Sequence, residues 1–241
     1  MSRRGGRGER EIRDLWFQAG YLRRAPGSVL VRQGDTRVVA AVSVEEGVPG
    51  WLRGRGRGWL TAEYGMLPLS SGERIRRDRG GVPGRTAEIQ RLIGRSLRAA
   101  VDLSALGERT VRVDCDVIEA DGGTRTASIT GAFVALALAL HRLQTRGVLA
   151  ENPLRRQLAA VSVGVVDGRV LLDLDYSEDS RAAVDLTVVA TATGELIEVQ
   201  GAAEAAPFRR EVLDELLDAA LEGIAVIAAR QRSVLAGVPL A

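Results

Sequence analysis

Residues 121–143 have the sequence DGGTRTASITGAFVALALALHRL, which predicts the central elements of the fold. It follows residues 111–119, in which apolar and polar side chains alternate as they do in a half-buried β-strand. Gly122 and Gly123 end the strand, and the almost entirely apolar residues 126–143 predict a helix that must be buried. A strand, a glycine turn and a core helix therefore form the centre of the predicted fold.

The segments on either side of this centre predict further strands and helices. Three β-hairpins are predicted, at residues 28–44, 161–174 and 184–200, each with a short polar or glycine-containing turn. Amphipathic helices are predicted from Arg85 to about residue 101, and from Pro207, in the first helical turn, to about residue 231. This order predicts an α+β fold (mixed α/β, two-layer) in a single domain covering residues 1–241. Residues 1–19 are expected to form a flexible basic segment, and residues 70–84 a mobile basic loop.

The composition excludes several kinds of chemistry. The 241 residues include one Cys and one His, so a Cys/His zinc site and a disulfide framework are impossible. All 33 basic residues are Arg, which excludes a lysine Schiff base and a P-loop lysine. The charge is uneven: residues 1–98 contain 20 Arg and 10 Asp or Glu, whereas residues 99–241 contain 13 and 21. This split favours a polyanion bound by one part and carboxylate or metal chemistry in the other, although charge pairing within one fold would also explain it.

The sequence favours a cytoplasmic protein that does not contact a membrane. The basic start is not followed by an apolar run, as it would be in a secretory signal. The longest apolar stretch, residues 127–140, is shorter than the roughly 20 residues that cross a bilayer.

The turn at residues 122–126 (GGTRT) predicts an oxyanion site. It opens a helix, so several backbone N–H groups and the positive end of the helix dipole point at one spot. Two threonine hydroxyls can donate hydrogen bonds, and Arg125 offers a planar fork that fits phosphate. The alternative is an ordinary glycine turn with a solvated arginine.

A cluster of five carboxylates follows in the acidic half: Asp173, Asp175, Glu178, Asp179 and Asp185. Asp185 leads directly into a valine-rich strand, where a carboxylate is costly unless it is paired or bound to a metal. A pair of such groups could hold Mg²⁺, or one could act as a general acid beside the other. The alternative is a loop in which some of the five cap their own backbone.

Three groups of arginines precede these sites, at positions 53–57, 74–79 and 85, and together they are typical of a surface that follows a phosphodiester backbone. Combined with the oxyanion turn and the carboxylates, they predict phosphoryl transfer on a polynucleotide. The attacking group could be water or phosphate, and the residues alone do not distinguish the two.

Seven blocks carry a family resemblance, in collinear order between about residues 20 and 231: 34–36 (GDT), 43–49 (SVEEGVP), 58–68 (GWLTAEYGMLP), 84–98 (GRTAEIQRLIGRSLR), 121–132 (DGGTRTASITGA), 172–179 (LDLDYSED) and 198–204 (EVQGAAE). They resemble the ribonuclease PH family. The resemblance implies a phosphorolytic 3′→5′ exoribonuclease that trims tRNA precursors and other RNA 3′ ends with inorganic phosphate and releases nucleoside diphosphates. It also implies the ribosomal protein S5 domain 2-like fold, which polynucleotide phosphorylase and the exosome core share, and a homohexamer built as a trimer of dimers.

The resemblance assigns roles to individual residues. Asp179 and Asp185 match the catalytic, Mg²⁺-associated carboxylates. Phosphate binding falls to four residues: Arg85, Gly123, Thr124 and Arg125. RNA binding falls to the basic loop, with Arg74 and Arg77 at matching positions and Arg76 and Arg79 beside them.

The sequence departs from the family pattern at a few places. Leu69 stands where an arginine is usual, the basic loop near Asp78 is about two residues short, Thr187 replaces a usual asparagine and Ala205 a usual glycine. Two alternatives therefore accompany the tRNA-trimming enzyme. One is a related exoribonuclease with broader substrates or reduced activity, and the other is a non-catalytic ring or RNA-binding subunit.

Overall fold

A computed structural model describes residues 3–76, 81–204 and 206–240 of the chain. It contains nine strands, which are β1 Leu15–Ala19, β2 Gly27–Gln33, β3 Thr36–Glu46, β4 Trp59–Met66, β5 Arg109–Glu119, β6 Leu158–Val166, β7 Arg169–Leu172, β8 Val184–Thr191 and β9 Leu196–Ala203. The α-helices of these described parts are α1 Gly84–Ala99, α2 Thr124–Thr145, α3 Tyr176–Asp179 and α4 Arg210–Val234.

The strands form two separate sheets. The first has the order β1-β2-β3-β5-β4, in which β4 and β5 are parallel and the other pairs are antiparallel. The second is fully antiparallel, with the order β7-β6-β8-β9. Parallel pairing of β4 and β5 needs a long crossover, and α1 supplies it. The resulting mixture of sheets and helices confirms the predicted α+β class.

Helix α2 lies between the two sheets. Its apolar side chains pack against β2, β3 and β5 on one side and against Leu158 and Ala160 of β6 on the other. Helix α4 covers the opposite face of β6, where Val161 and Val163 meet Ile224 and Ile227. Because β6 is buried on both faces, its sequence is a nearly continuous apolar run rather than an alternating one.

Helix α2 is long and apolar enough to cross a membrane by length and composition alone, but 78% of its most apolar 18-residue window is buried inside the protein. The apolar composition of α2 is therefore explained by its position in the core. Because α2 is held between the two sheets, the glycine turn at its N-terminus is held in place as well.

The predicted elements agree with the structure except in five places. The three hairpins, the strand before the glycine turn and the helix beginning near Arg85 are all present. Strands β1 and β4 and the single-turn helix α3 were not predicted. Helix α4 begins at Arg210, so the prediction that Pro207 lies in its first turn was wrong; the chain is still extended at Arg209, which precedes the helix.

The predicted flexibility of residues 1–19 is the fifth difference. From Arg3 onward this segment is bound to the second half of the chain, because Arg3 pairs with Glu178 and Arg13 with Asp173, and all four side chains are buried. Buried ion pairs of this kind fix the segment in place, and β1 adds it to the edge of the first sheet.

Candidate active site

The turn before α2 has the open helix N-terminus that the sequence predicted. Gly122 and Gly123 have φ values of 72° and 61°, in the left-handed region that favours glycine. Among the described residues no side chain caps the helix, so its first N–H groups are available to an anion. Thr124 and Arg125 are its first two residues.

The same turn packs directly on the segment that carries the carboxylates. A Cβ atom at Gly122 would lie only 2.7–2.8 Å from backbone atoms of Leu174, Asp175 and Tyr176. Only glycine allows the two backbones to approach this closely. The oxyanion turn and the acidic segment are therefore in contact, although about 50 residues separate them in sequence.

Asp179 and Asp185 form the acidic side of the site. Asp179 ends α3, and Asp185 is the second residue of β8. Burial, reinforced by the negative charges of Asp179 and Glu204 and opposed by Arg125, raises the pKa of Asp185 to about 6. Burial also raises the pKa of Asp179, against the positive charges of Arg125, Arg85 and Arg13. A carboxyl with a pKa near neutrality next to a second carboxylate is an arrangement suited to general acid catalysis.

Two arginines face these carboxylates. Arg125 comes from α2 and Arg85 is the second residue of α1, and the charges of both act on Asp179. A guanidinium nitrogen of Arg125 lies 3.5 Å from a carboxylate oxygen of Glu88, one turn along α1 from Arg85. The N-terminal ends of two helices thus bring two cations to the site.

An open cavity of about 370 Å³ lies between Arg125 and Asp185. Its wall is formed by α1, α2, β8 and β9, through Glu88, Arg125, Asp185, Thr187, Gln200, Gly201, Ala202 and Glu204. Its size and its mixture of cationic and anionic groups suit a phosphorylated ligand.

The other three predicted carboxylates are structural. Asp173 accepts three hydrogen bonds from Arg13, two of them from the guanidinium. Although burial alone would raise its pKa, the charge and hydrogen bonds of Arg13 hold the pKa of Asp173 below its usual value. Asp175 and Glu178 form a capping box on α3, and Glu178 is also paired with Arg3. Of the five predicted acids, Asp185 lines the cavity, and Asp179 is close enough for its charge to act on Asp185.

The basic loop is described in part. Arg74 and Arg76 are exposed, whereas Arg77 and Arg79 lie outside the described residues. The backbone N–H of Ala120 donates to the carbonyl of Ser70 at 2.7 Å, so the loop starts next to the oxyanion turn. Leu69 is 71% exposed, and Ala205 lies outside the described residues.

Three further residues of the site were not predicted. Glu88 and Glu204 line the cavity, and Tyr64 of β4 donates a hydrogen bond from its hydroxyl to Thr124 Oγ1 at 3.0 Å. Leu60, Ala62 and Tyr64 are the buried residues of β4. No local pattern in the sequence shows that the Tyr64 hydroxyl contacts a residue 60 positions away.

Two family profiles match the chain, one in each half. The profile of the 3′ exoribonuclease family, domain 1, matches residues 11–140, and that of domain 2 matches residues 157–223. The chain is 55% identical over 240 residues to ribonuclease PH of Moorella thermoacetica, covering 99% of this chain and 96% of that protein. It is 57% identical over 240 residues to ribonuclease PH of Nocardia farcinica, covering 98% and 93%.

Solved structures show the same fold. Rice (Oryza sativa) Rrp46 superposes with a TM-score of 0.78 at 22% identity, covering 95% of this chain and 98% of that one. A chain of the Archaeoglobus fulgidus exosome with RNA bound to the active site superposes with a TM-score of 0.77 at 26% identity, covering 95% and 91%.

The matches to both domains of the 3′ exoribonuclease family, which together cover most of the chain, place it in the class of 3′ exoribonucleases. The identity to the curated relatives extends over nearly the whole chain rather than one half of it. The chain therefore belongs to the ribonuclease PH family, and it is a phosphorolytic exoribonuclease that processes tRNA 3′ ends with inorganic phosphate as co-substrate. This confirms the resemblance and the activity that the sequence predicted.

Proposed function

We propose that Arg125, Thr124, the backbone N–H of Gly123 and the start of α2 bind inorganic phosphate beside the last phosphodiester of a tRNA precursor. Arg85 neutralises the charge that builds up between the two phosphorus centres. The observation that carries this proposal is the position of Asp179, where the charges of Arg85 and Arg125 meet next to Asp185. Cationic groups fixed in advance around a transferring phosphoryl group are the main source of catalysis in such reactions.

In the proposed step, an oxygen of inorganic phosphate attacks the terminal phosphorus in line with the 3′ oxygen of the preceding nucleotide. The new P–O bond forms as the bond to that 3′ oxygen breaks, and the terminal nucleotide leaves as a nucleoside 5′-diphosphate. Asp185 donates its proton to the departing 3′ oxygen, because its raised pKa leaves part of the molecules protonated near neutral pH.

The carboxylates also fit Mg²⁺. Among the described residues, no group of three or more His, Cys, Asp or Glu side chains is arranged to hold a metal. Mg²⁺ is commonly held by one or two carboxylates together with substrate phosphates and water, and Asp179 with Asp185 provides such a pair. We assign Asp179 as the principal ligand, and the ion would stabilise charge on the phosphoryl oxygens.

The RNA contact and the assembly complete the proposal. Arg74 and Arg76, with Arg77 and Arg79, would bind the RNA backbone beside the turn where the loop begins. The chain would assemble as a homohexamer, a trimer of dimers, and would meet its tRNA substrates in the cytoplasm.

Incubation of a tRNA that carries a short 3′ extension, with and without inorganic phosphate, tests the function. We expect shortening only with phosphate, release of nucleoside diphosphates, and loss of activity when Mg²⁺ is chelated. Release of nucleoside monophosphates would contradict phosphorolysis, and binding without shortening would favour a non-catalytic subunit.

Leu69 supports a second candidate, an enzyme with a broader range of RNA substrates. It exposes an apolar side chain where a cationic contact to RNA is usual in the family. Equal rates on the extended tRNA and on an unstructured RNA of the same 3′ sequence would favour this candidate over a tRNA-specific enzyme.

A further inference from the structure

Tyr64 lies in the core next to the oxyanion turn (residues 122–126) and does not line the cavity. It is 7% exposed, in the middle of β4 opposite Cys115 of β5. Its hydroxyl donates a hydrogen bond to Thr124 Oγ1 at 3.0 Å. A strand of the first sheet therefore contacts the first residue of α2 through one polar group in an otherwise apolar core.

The hydrogen bonds of Thr124 leave one hydrogen unused. A threonine hydroxyl has one hydrogen to donate and two lone pairs to accept, and Tyr64 uses a lone pair. The Thr124 carbonyl accepts from Ser128 Oγ at 2.7 Å. Among the parts of the chain that the structure describes, no hydrogen bond takes up the hydrogen of the Thr124 hydroxyl.

The opposite direction of this hydrogen bond is less favourable. If Thr124 donated to Tyr64, the buried phenol hydrogen would have no acceptor, and a buried unpaired donor is costly. A phosphate oxygen can only accept. Every hydrogen has an acceptor if Tyr64 donates to Thr124 and Thr124 donates to a ligand at the start of α2.

The surroundings keep Tyr64 a donor. Burial raises the pKa of its phenol, while its hydrogen bond to Thr124 and the charges of Arg85 and Arg125 oppose the rise. The phenol therefore stays protonated and lies near the two arginines assigned to phosphate.

We propose that Tyr64 is a positioning residue of the phosphate site, whose hydrogen bond to Thr124 aims the threonine hydroxyl at the bound phosphate. This proposal rests on the proposed role of Thr124 in phosphate binding. Tyr64 acts only through Thr124 and touches neither the RNA nor the phosphate.

The same oxyanion occupies the site in both directions of the reaction. Inorganic phosphate becomes the β-phosphate of the released nucleoside diphosphate, so Tyr64 affects the binding of both compounds. It does not affect the 3′ end of the RNA itself.

Tyr64→Phe removes one hydroxyl and keeps the ring. We expect the KM for inorganic phosphate to rise about three- to tenfold, the effect of one lost hydrogen bond. The kcat at saturating phosphate should change less than twofold. In the reverse reaction, the KM for a nucleoside diphosphate should rise by a similar factor, while the KM for RNA stays the same.

Ser128→Ala is the matched control, since it also removes a buried hydroxyl bonded to Thr124 but leaves the threonine hydroxyl and Tyr64 in place. It should lower thermal stability without changing the KM for phosphate. If both variants raise this KM equally, the effect is a general loosening of the turn and the proposal is wrong.

Thr124→Val separates the inference from the proposed function. If Thr124→Val leaves the KM for phosphate unchanged, the assignment of Thr124 fails, and the inference fails with it. If Thr124→Val raises the KM but Tyr64→Phe does not, the phosphate site stands and only the role of Tyr64 is rejected. If both raise it, Tyr64→Phe should add nothing to the KM of the Thr124→Val variant, because the hydroxyl that it positions is gone.

Discussion

Asp185 differs from an ordinary surface carboxylate in what surrounds it. It enters a buried strand, and burial and the charge of Asp179 raise its pKa, while Arg125 limits the rise. A carboxyl in this position is neutral often enough to give up a proton, and ionised often enough to take it back in the reverse reaction. Asp185 is therefore suited to act as an acid in phosphorolysis and as a base in the reverse reaction.

Asp185→Asn keeps the shape of the side chain and removes the transferable proton. We expect kcat to fall by about 10²–10⁴, the usual contribution of a general acid, while the affinity for a non-cleaved RNA stays within about twofold. Quenched-flow or gel assays give the rate, and fluorescence anisotropy with labelled RNA gives the affinity.

Asp167→Asn provides the comparison, since Asp167 is an exposed carboxylate on the β6–β7 turn that pairs with Arg181 at the surface. It should retain wild-type activity. Substantial activity in Asp185→Asn would overturn the acid role, and loss of RNA affinity would show that the residue acts in binding.

At the level of elements, the roles of the residues in the acidic segment (residues 173–185) could be predicted only in part from the sequence. The strand, the glycine turn and the start of α2 could be predicted, because their patterns are local and each residue's neighbours in sequence are its neighbours in space. The roles of Asp173 and Asp179 could not be separated in this way. Asp173 is neutralised by Arg13, a residue 160 positions away, and no local pattern records that pairing.

The same limit applies to the cavity wall. Glu88 lies on α1, and Glu204 lies just beyond β9. Both line the cavity because the two elements are placed around α2. The family resemblance could assign the residues that recur in its motifs. Tyr64 lies within one of these motifs (residues 58–68), but the resemblance assigned it no role, because its contribution depends on a single contact between two elements.

The Arg13–Asp173 pair should make stability depend on acid pH. The pKa of Asp173 is lowered in the folded protein, so its contribution is complete above the unfolded value of about 3.9 and is lost as pH falls below it. At pH 7, Asp173→Asn should lower the free energy of unfolding by about 3–5 kcal/mol, because it leaves the buried Arg13 charge uncompensated.

Urea unfolding between pH 7 and pH 3, at one protein concentration, measures this effect. The difference between wild type and Asp173→Asn should shrink as pH falls toward 3. Asp167→Asn, in an exposed ion pair, should cost less than about 1 kcal/mol at pH 7. A pH-independent difference for Asp173→Asn would contradict the lowered pKa.

For the molecule as a whole, several large apolar side chains remain on the surface. Trp16 on the edge strand β1 is 50% exposed, and Trp51 and Tyr176 are 59% and 65% exposed. Exposed aromatic groups of this size are typical of surfaces that contact other chains. They agree with the proposal that the chain assembles.

Size-exclusion chromatography with light scattering should give about 154 kDa, six times the chain mass of 25.7 kDa. Dilution should reveal a dimer before a monomer if the ring is a trimer of dimers. A fully active species of one chain mass would exclude the hexamer as the working form.

The ion pairs of the N-terminal segment also have a consequence during synthesis. Arg3 and Arg13 are among the first residues made, but Asp173 and Glu178 follow at least 160 residues later. At about 5–20 residues per second, the ribosome needs roughly 8–30 s to supply these partners. Until then the growing chain has the oxyanion turn but neither Asp179 nor Asp185, so under the proposed mechanism a nascent chain cannot cleave RNA before about three quarters of it has been translated.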